Sequence, residues 1–167
     1  MKDDTYYLHQ TPEILARDLI SKLDITDNDI LYEPFKGEGA FFNNFPVNNI
    51  THYTEIEEQL DYKNFNENID WVITNPPFKL DGENGRVNSF WYLLNYFTDK
   101  ARKGVAFLGN DYCLATLMPK RLELLKLKGW YLNKIIVCSV KKWRGRYFFM
   151  IFKKENSGLI DYLLPNY

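Results

Sequence analysis

The 167-residue chain has little with which to staple a fold covalently or through a metal. It carries two cysteines, Cys113 and Cys138, and neither sits in a C-x-x-C arrangement. Both are expected as packed, reduced thiols in an intracellular, cytoplasmic protein. The two histidines, His9 and His52, have no partner at ligand spacing, so no metal is expected. No Ser/His/Asp or Cys/His set suggests covalent catalysis. No window approaches the roughly 20 apolar residues of a membrane span, so no membrane partner is expected. The start, Met1-Lys2-Asp3-Asp4, is polar and acidic and does not read as a signal or transit peptide. Repeats, low-complexity stretches and linkers are also lacking, which predicts a single domain over residues 1–167.

What is present suits a packed soluble domain. Hydrophobic residues make up 46% and charged residues 26%, with 12 Tyr, 12 Phe and 4 Trp. The net charge of -1 hides a division. Residues 1–117 carry 10 Lys/Arg against 19 Asp/Glu, whereas residues 118–167 carry 11 against 3. A basic final third on an otherwise acidic chain favours a polyanionic partner.

Hydrophobic spacing predicts alternating helices and strands. Thr11-Pro12-Glu13 can open a helix, with Thr11 as cap, and Ile14, Leu15, Leu19, Ile20 and Leu23 give it one buried stripe. Ile30–Glu33 reads as a buried strand, 40–45 as a brief helix and 49–55 as a second strand. A third strand, Asp70–Thr74, is ended by Asn75-Pro76-Pro77, because prolines cannot donate to a central ladder. The Gly-, Asp- and Asn-rich segment 79–88 reads as a loop, followed by a helix over 89–102. Val105–Leu108 is a further strand and 119–128 a further helix. Ile135–Val140 and Tyr147–Phe152 flank Lys141-Lys142-Trp143-Arg144-Gly145 as a hairpin. The alternation predicts an α/β three-layer domain, mostly parallel, closed by an antiparallel hairpin.

Two segments carry chemistry. Glu33-Pro34-Phe35-Lys36-Gly37-Glu38-Gly39 follows the first strand, and its glycines let the backbone turn sharply and approach a ligand. Phe42 stands where a dinucleotide fingerprint would have its third glycine, so that motif is absent. Asn75-Pro76-Pro77-Phe78 follows the third strand, at a carboxyl end where open α/β sheets bind ligands. The Asn75 side-chain carbonyl and the Pro76 main-chain carbonyl can accept from a conjugated amine. The prolines fix both acceptors, and Phe78 offers a stacking face. A strand-terminating turn would look the same locally.

Together the segments resemble the class I S-adenosylmethionine-dependent amino-methyltransferases, especially N6-adenine enzymes, over about residues 9–152. Glu33-Pro34-x-x-Gly37-x-Gly39 is similar to their cofactor loop and Asn75-Pro76-Pro77-Phe78 to their catalytic motif. His9-Gln10-Thr11-Pro12 resembles the segment that touches the cofactor's methionine carboxylate, which carries Thr11 into the cofactor site. The resemblance implies a Rossmann-like methyltransferase sheet and S-adenosyl-L-methionine as cofactor. It also implies Glu55 on the ribose, with Glu57 and Glu58 as rivals. Asp61 and Tyr62 would hold the cofactor adenine, with Phe65 a rival for the ring. Only five residues separate Glu55 from Asp61, too few for the helix that often lies between these motifs.

The resemblance implies methylation of the adenine N6 amine in nucleic acid, DNA ahead of RNA. Guanine N2, a protein glutamine amide, and a non-catalytic scaffold paired with an active subunit are the alternatives. Only fifteen residues follow Phe152, too few for a target-recognition domain. Target recognition is therefore expected from the 79–88 loop, the hairpin or a second subunit. Within the hairpin, Lys141, Lys142, Arg144 and Arg146 could neutralise phosphates and Trp143 could stack on a base. A solvated turn with Trp143 on the core is the plain alternative.

Overall fold

The structure, a computed structural model, describes residues 10–80, 89–141, 143 and 145–162. Among the described residues six strands form one sheet: β1 (Ile30–Glu33), β2 (Ile50–Tyr53), β3 (Ile69–Thr74), β4 (Ala101–Asn110), β5 (Tyr131–Cys138) and β6 (Tyr147–Lys153). Their spatial order is β2-β1-β3-β4-β6-β5. The pairings of β1 with β2, β1 with β3 and β3 with β4 are parallel, whereas β6 runs antiparallel between β4 and β5. The fold is therefore the α/β, mostly parallel sheet with a C-terminal antiparallel hairpin that the sequence predicts.

Helices cover both faces: α1 (Glu13–Ile20), α2 (Ser89–Thr98), a single capped turn α3 (Asp111–Ala115) and α4 (Pro119–Leu127). Short 3-10 turns occupy Phe42–Asn44, Ile56–Glu58 and Tyr62–Asn64. Strand side chains alternate between two cores, as the two-residue period requires. Val72, Val105, Phe107, Phe148, Met150 and Phe152 join the α2 and α4 side. Trp71, Ile73, Ala106, Leu108, Phe149 and Ile151 join the α1 side. Every residue of β3 is buried, so its apolar run is continuous rather than alternating.

Several boundaries differ from the sequence reading. Thr11 does not cap α1; Pro12 holds that position with no side-chain cap bond, and the helix stops at Ile20, short of Leu23. The predicted helix over 89–102 ends at Thr98, because Ala101 and Arg102 already belong to β4. β5 begins at Tyr131, four residues before the expected start. The turn α3 was not foreseen; the Asn110 side chain caps it by accepting from Cys113 N at 3.2 Å. Between Glu55 and Asp61 the chain makes a 3-10 turn and no α-helix, as the short spacing required.

The amino-end edge of the parallel strands is tied by buried acids. Asp70 accepts from Ile30 N at 2.9 Å and from Arg102 Nε and Nη2 at 3.0 and 3.1 Å, joining β1, β3 and β4. Asp29 pairs with Lys103. Trp71 sets the spacing of β3 and β4, its ring lying over Gly104, its register partner. A Cβ on Gly104 would stand 2.1 Å from Trp71 Cζ3. The indole is 1% exposed and cannot retreat. Gly104→Ala should therefore cost about 1–3 kcal/mol by overpacking. A lowered urea midpoint with unchanged m-value is the expected result; an unchanged midpoint would show that the ring can shift.

Candidate functional site

The strand order reverses at β1, which has β2 on one side and β3 on the other. The crevice outside the carboxyl ends at such a reversal is where open α/β sheets take ligands. Both sequence segments leave the sheet there: the glycine loop follows Glu33 of β1, and Asn75-Pro76-Pro77-Phe78 follows Thr74 of β3. Thr54 and Glu55 follow β2 at the same edge.

Hydrogen bonds hold the glycine loop against the end of β2. Thr54 N donates to Glu33 O at 3.0 Å, and Lys36 N donates to Thr54 O at 3.2 Å. The Thr54 hydroxyl donates to Pro34 O at 2.8 Å and meets the Tyr32 hydroxyl at 2.6 Å. Glu55 Oε2 accepts from Gly37 N at 2.6 Å. Lys36 completes the clasp, bridging Glu58 at 2.5 Å with its ammonium 3.8 Å from the centre of the Tyr53 ring. The hydrogen bond and charge of Glu58 raise the Lys36 pKa, and Lys36 lowers that of Glu58 in return.

The two glycines are required by the chain's own packing. Both have positive φ, +52° at Gly37 and +83° at Gly39, where a side chain is strained. A Cβ would meet the chain's own side chains, Gln10 Oε1 at 3.1 Å from Gly37 and Asn43 Nδ2 at 3.0 Å from Gly39. The missing side chains thus make room for Gln10 and Asn43, and the loop's shape is the cradle.

Glu33 is 2% exposed and points at the brief turn after the loop, accepting from Phe42 N at 2.7 Å. Burial pushes its pKa well above the ordinary carboxylate range; the Phe42 N–H opposes the rise and the Glu55 charge adds to it. Its part in the site is to shape the loop from beneath. Asp61 caps the turn Tyr62–Asn64, accepting from Lys63 N at 2.9 Å. The Tyr62 ring belongs to the core and meets Phe35 and Tyr96 edge-on, with centroids 5.1 and 5.4 Å away. Phe65 is stacked on Tyr32 at 4.1 Å. The Asp61–Tyr62 corner therefore packs on the glycine loop through Phe35, with both candidate rings engaged by the core.

At the tetrapeptide, Asn75 Nδ2 donates to Thr11 Oγ1 at 3.3 Å, across 64 residues of sequence. The Pro77 carbonyl accepts from Ser89 Oγ at 2.8 Å, fixing the motif to the first turn of α2. Pro76 is buried, and Phe78 is half-buried against both core clusters. The structure thus brings together Thr11, Glu33, Pro34, Gly37, Gly39, Glu55 and Asn75 at one edge. Residues 81–88 of the predicted loop, and His9, lie outside the described residues.

The turn between β5 and β6 lies on this same edge, since Tyr147 is in register with both Asn110 and Cys138. Lys142 and Arg144 lie outside the described residues. Lys141 is exposed. Trp143 does not stand out as a platform: its ring lies on Tyr147, with centroids 4.4 Å apart, and packs on the α1-side core. Arg146 pairs with Asp111 at 3.0 Å. Among the described residues no cluster of His, Cys, Asp or Glu could hold a metal.

Sequence reasoning passed over Thr54, Ser89 and Asp111, and named Gln10 only as part of a segment. Adjacency was the signal available for two of them: Gln10 precedes Thr11, and Thr54 precedes Glu55. Nothing local marked Ser89 or Asp111, whose partners are distant in sequence.

No family model and no curated protein matches the chain in sequence. Solved structures match its fold. A protein from Listeria monocytogenes described as a class I S-adenosylmethionine-dependent methyltransferase superposes with TM-score 0.67 at 16% identity, covering 96% of this chain and 64% of its own. The modification subunit of a protein described as a type I restriction enzyme, from Vibrio vulnificus, gives 0.62 at 15% identity, covering 87% and 44%. Magnesium protoporphyrin IX methyltransferase from Synechocystis, with bound S-adenosylmethionine, gives 0.58 at 8% identity, covering 90% and 81%. The chain thus spans less than two thirds of the Listeria and Vibrio proteins. At these identities the likeness establishes a shared fold.

The buried Glu33 carboxyl makes stability depend on pH. Its folded pKa is raised, so its stabilising contribution is full below the ordinary carboxylate value near about 4.3 and is lost as pH rises through the folded pKa. Glu33→Gln keeps an oxygen for the Phe42 N–H and removes the charge. Urea unfolding from pH 5 to 9 should show the wild type weakening and the variant changing less. Parallel curves would mean that Glu33 is not the titrating group.

Proposed function

We propose that this chain is an S-adenosylmethionine-dependent N-methyltransferase acting on the exocyclic N6 amine of adenine in nucleic acid, DNA ahead of RNA. The observation that carries the reading is the placement of Asn75-Pro76-Pro77-Phe78. It leaves a fully buried strand at the sheet's reversal, beside a glycine loop clasped by Glu55. The likeness in fold to a restriction-enzyme modification subunit supports DNA, and that to a methyltransferase with bound S-adenosylmethionine supports the cofactor.

The residues fit this cofactor. When bound, S-adenosylmethionine supplies an electrophilic methyl on a sulfonium, whose sulfur keeps the bonding pair and leaves as a thioether. Glu55 has two carboxylate oxygens and roughly four lone-pair sites, so it can accept from ribose hydroxyls while holding Gly37 N. Asp61 would accept from the cofactor's adenine amine while holding Lys63 N. Thr11 would donate a hydrogen bond from its hydroxyl to the methionine carboxylate.

The target amine is a weak nucleophile because its lone pair is delocalised into the base. The Asn75 Oδ1 and Pro76 carbonyls accept its two hydrogens and favour a tetrahedral nitrogen, while Phe78 supports the face of the base. The cofactor would supply the methyl group, and the nitrogen, once alkylated, would release one proton to water. A neutral amide and a proline carbonyl suffice, since alignment and charge complementarity do most of this work.

Asn75→Ala should leave cofactor affinity within a few-fold while turnover falls by roughly 10²–10³, the scale of losing one preorganised polar group. Labelled S-adenosylmethionine offered to DNA, RNA and protein pools, followed by nucleoside analysis, checks both activity and target. Label on guanine or on protein would overturn the adenine assignment, and no label anywhere would overturn the enzyme.

Lys141, Lys142 and Arg144 are proposed to meet phosphates. Changing all three to Gln should weaken binding to any sequence and flatten the salt dependence. The slope should fall by up to about 0.9 log units for each duplex phosphate left unneutralised, or about 0.7 on a single strand. An unchanged slope would move nucleic-acid binding away from the hairpin.

A further inference from the structure

We propose that Thr11 is a positioning residue whose hydroxyl couples cofactor engagement to the orientation of the Asn75 amide, an inference that rests on the methyltransferase reading above. The hydroxyl has no duty in the helix it precedes, because α1 is entered at Pro12 without any side-chain cap. It is instead the acceptor for Asn75 Nδ2, at 3.3 Å. Its neighbour Gln10 lies over Gly37, close enough that a Cβ there would be 3.1 Å from Gln10 Oε1. Two consecutive residues thus reach the glycine loop and the tetrapeptide at once, Gln10 the one and Thr11 the other.

The direction of the hydrogen bond gives the coupling its sign. A threonine hydroxyl has one proton to donate and two lone pairs that accept. Accepting from Asn75 leaves the proton of Thr11 for an acceptor on its other side, and an anionic carboxylate in the cradle is a strong one. Donation to that anion makes the oxygen a better acceptor, since linked hydrogen bonds polarise one another. The Asn75 nitrogen is then held more firmly toward Thr11, and its carbonyl is held on the opposite side, away from the cradle wall. Cofactor binding therefore sets the acceptor before the base arrives, and the coupling is felt in the transfer step rather than in affinity for the base.

The test compares Thr11→Val, which keeps the shape and removes the hydroxyl, with Thr11→Ser, which keeps the hydroxyl. The full chain, labelled with nitrogen-15, is titrated with S-adenosylhomocysteine while the Asn75 side-chain amide resonances are followed. They should move on titration in the wild type and in Thr11→Ser, and stay still in Thr11→Val. Single-turnover methylation of an adenine-containing oligonucleotide at saturating S-adenosylmethionine should fall about three- to tenfold in Thr11→Val, the scale of one neutral hydrogen bond. The KM for the oligonucleotide should hold, and Thr11→Ser should restore the rate to within about twofold. Wild-type single-turnover rates in Thr11→Val, or amide resonances that respond there as in the wild type, would overturn the coupling and leave the methyltransferase reading intact. A wild-type chain that does not bind S-adenosylhomocysteine would overturn both. Binding without methylation of the oligonucleotide would sink the substrate alone, and the resonances would then decide the coupling.

Discussion

Everything at the candidate site depends on β3 having no solvent face. All six of its residues are buried, with β1 and β4 in parallel register on its two sides. A strand so enclosed cannot bend to reach a ligand; it can only deliver whatever follows its last residue. Pro76 and Pro77 forbid continuation of the ladder at that point. The Asn75 backbone thus follows a strand whose packing includes Trp71 against Gly104. The two edges of the sheet divide the labour. Asp29 and Asp70 consume Lys103 and Arg102 at the amino-end edge, where the site is not.

Much of this arrangement was legible because it rests on strong local signals. Ile30–Glu33 stands as read, since a short apolar run between Asp29 and Pro34 has few other options. Pro119 at the first turn of α4 fixed that helix to within a residue. The failures came where tertiary pairing overrode propensity. Ala101 and Arg102 favour a helix on their own, yet both belong to β4, where Ala101 pairs with Ile69 and Arg102 is drawn to Asp70. At the other end, Asn133 and Lys134 disguise β5, because an edge strand can carry polar residues that a central one cannot.

The site was legible as a set of segments and illegible as a set of contacts. The sequence marks Thr11, Gly37, Glu55 and Asn75, but not that Glu55 holds Gly37 N or that Thr11 holds Asn75. Nor did it reveal that Tyr62 and Trp143 face the core, because aromatic residues carry the same letters in a core and on a platform. Charge along the chain is likewise no guide to contacts. The basic final third is partly neutralised on folding, through Lys128 with Asp99, Lys153 with Asp24 and Arg146 with Asp111, all acids from the earlier part of the chain. Segregation along the chain became pairing in space.

The bracket formed by Gln10 and Thr11 has a consequence for how the molecule reaches its native state. Thr11 and Asn75 are 64 residues apart, and between them lie the three strands that must pair in parallel before the two can meet. Parallel, non-local pairing is slow, because loop-closure entropy is spent before the contacts reward it. The candidate site therefore needs all three of these strands in place. The Thr11–Asn75 contact thus reports that β1, β2 and β3 have found their parallel partners, and an unfinished or damaged sheet is marked by its loss.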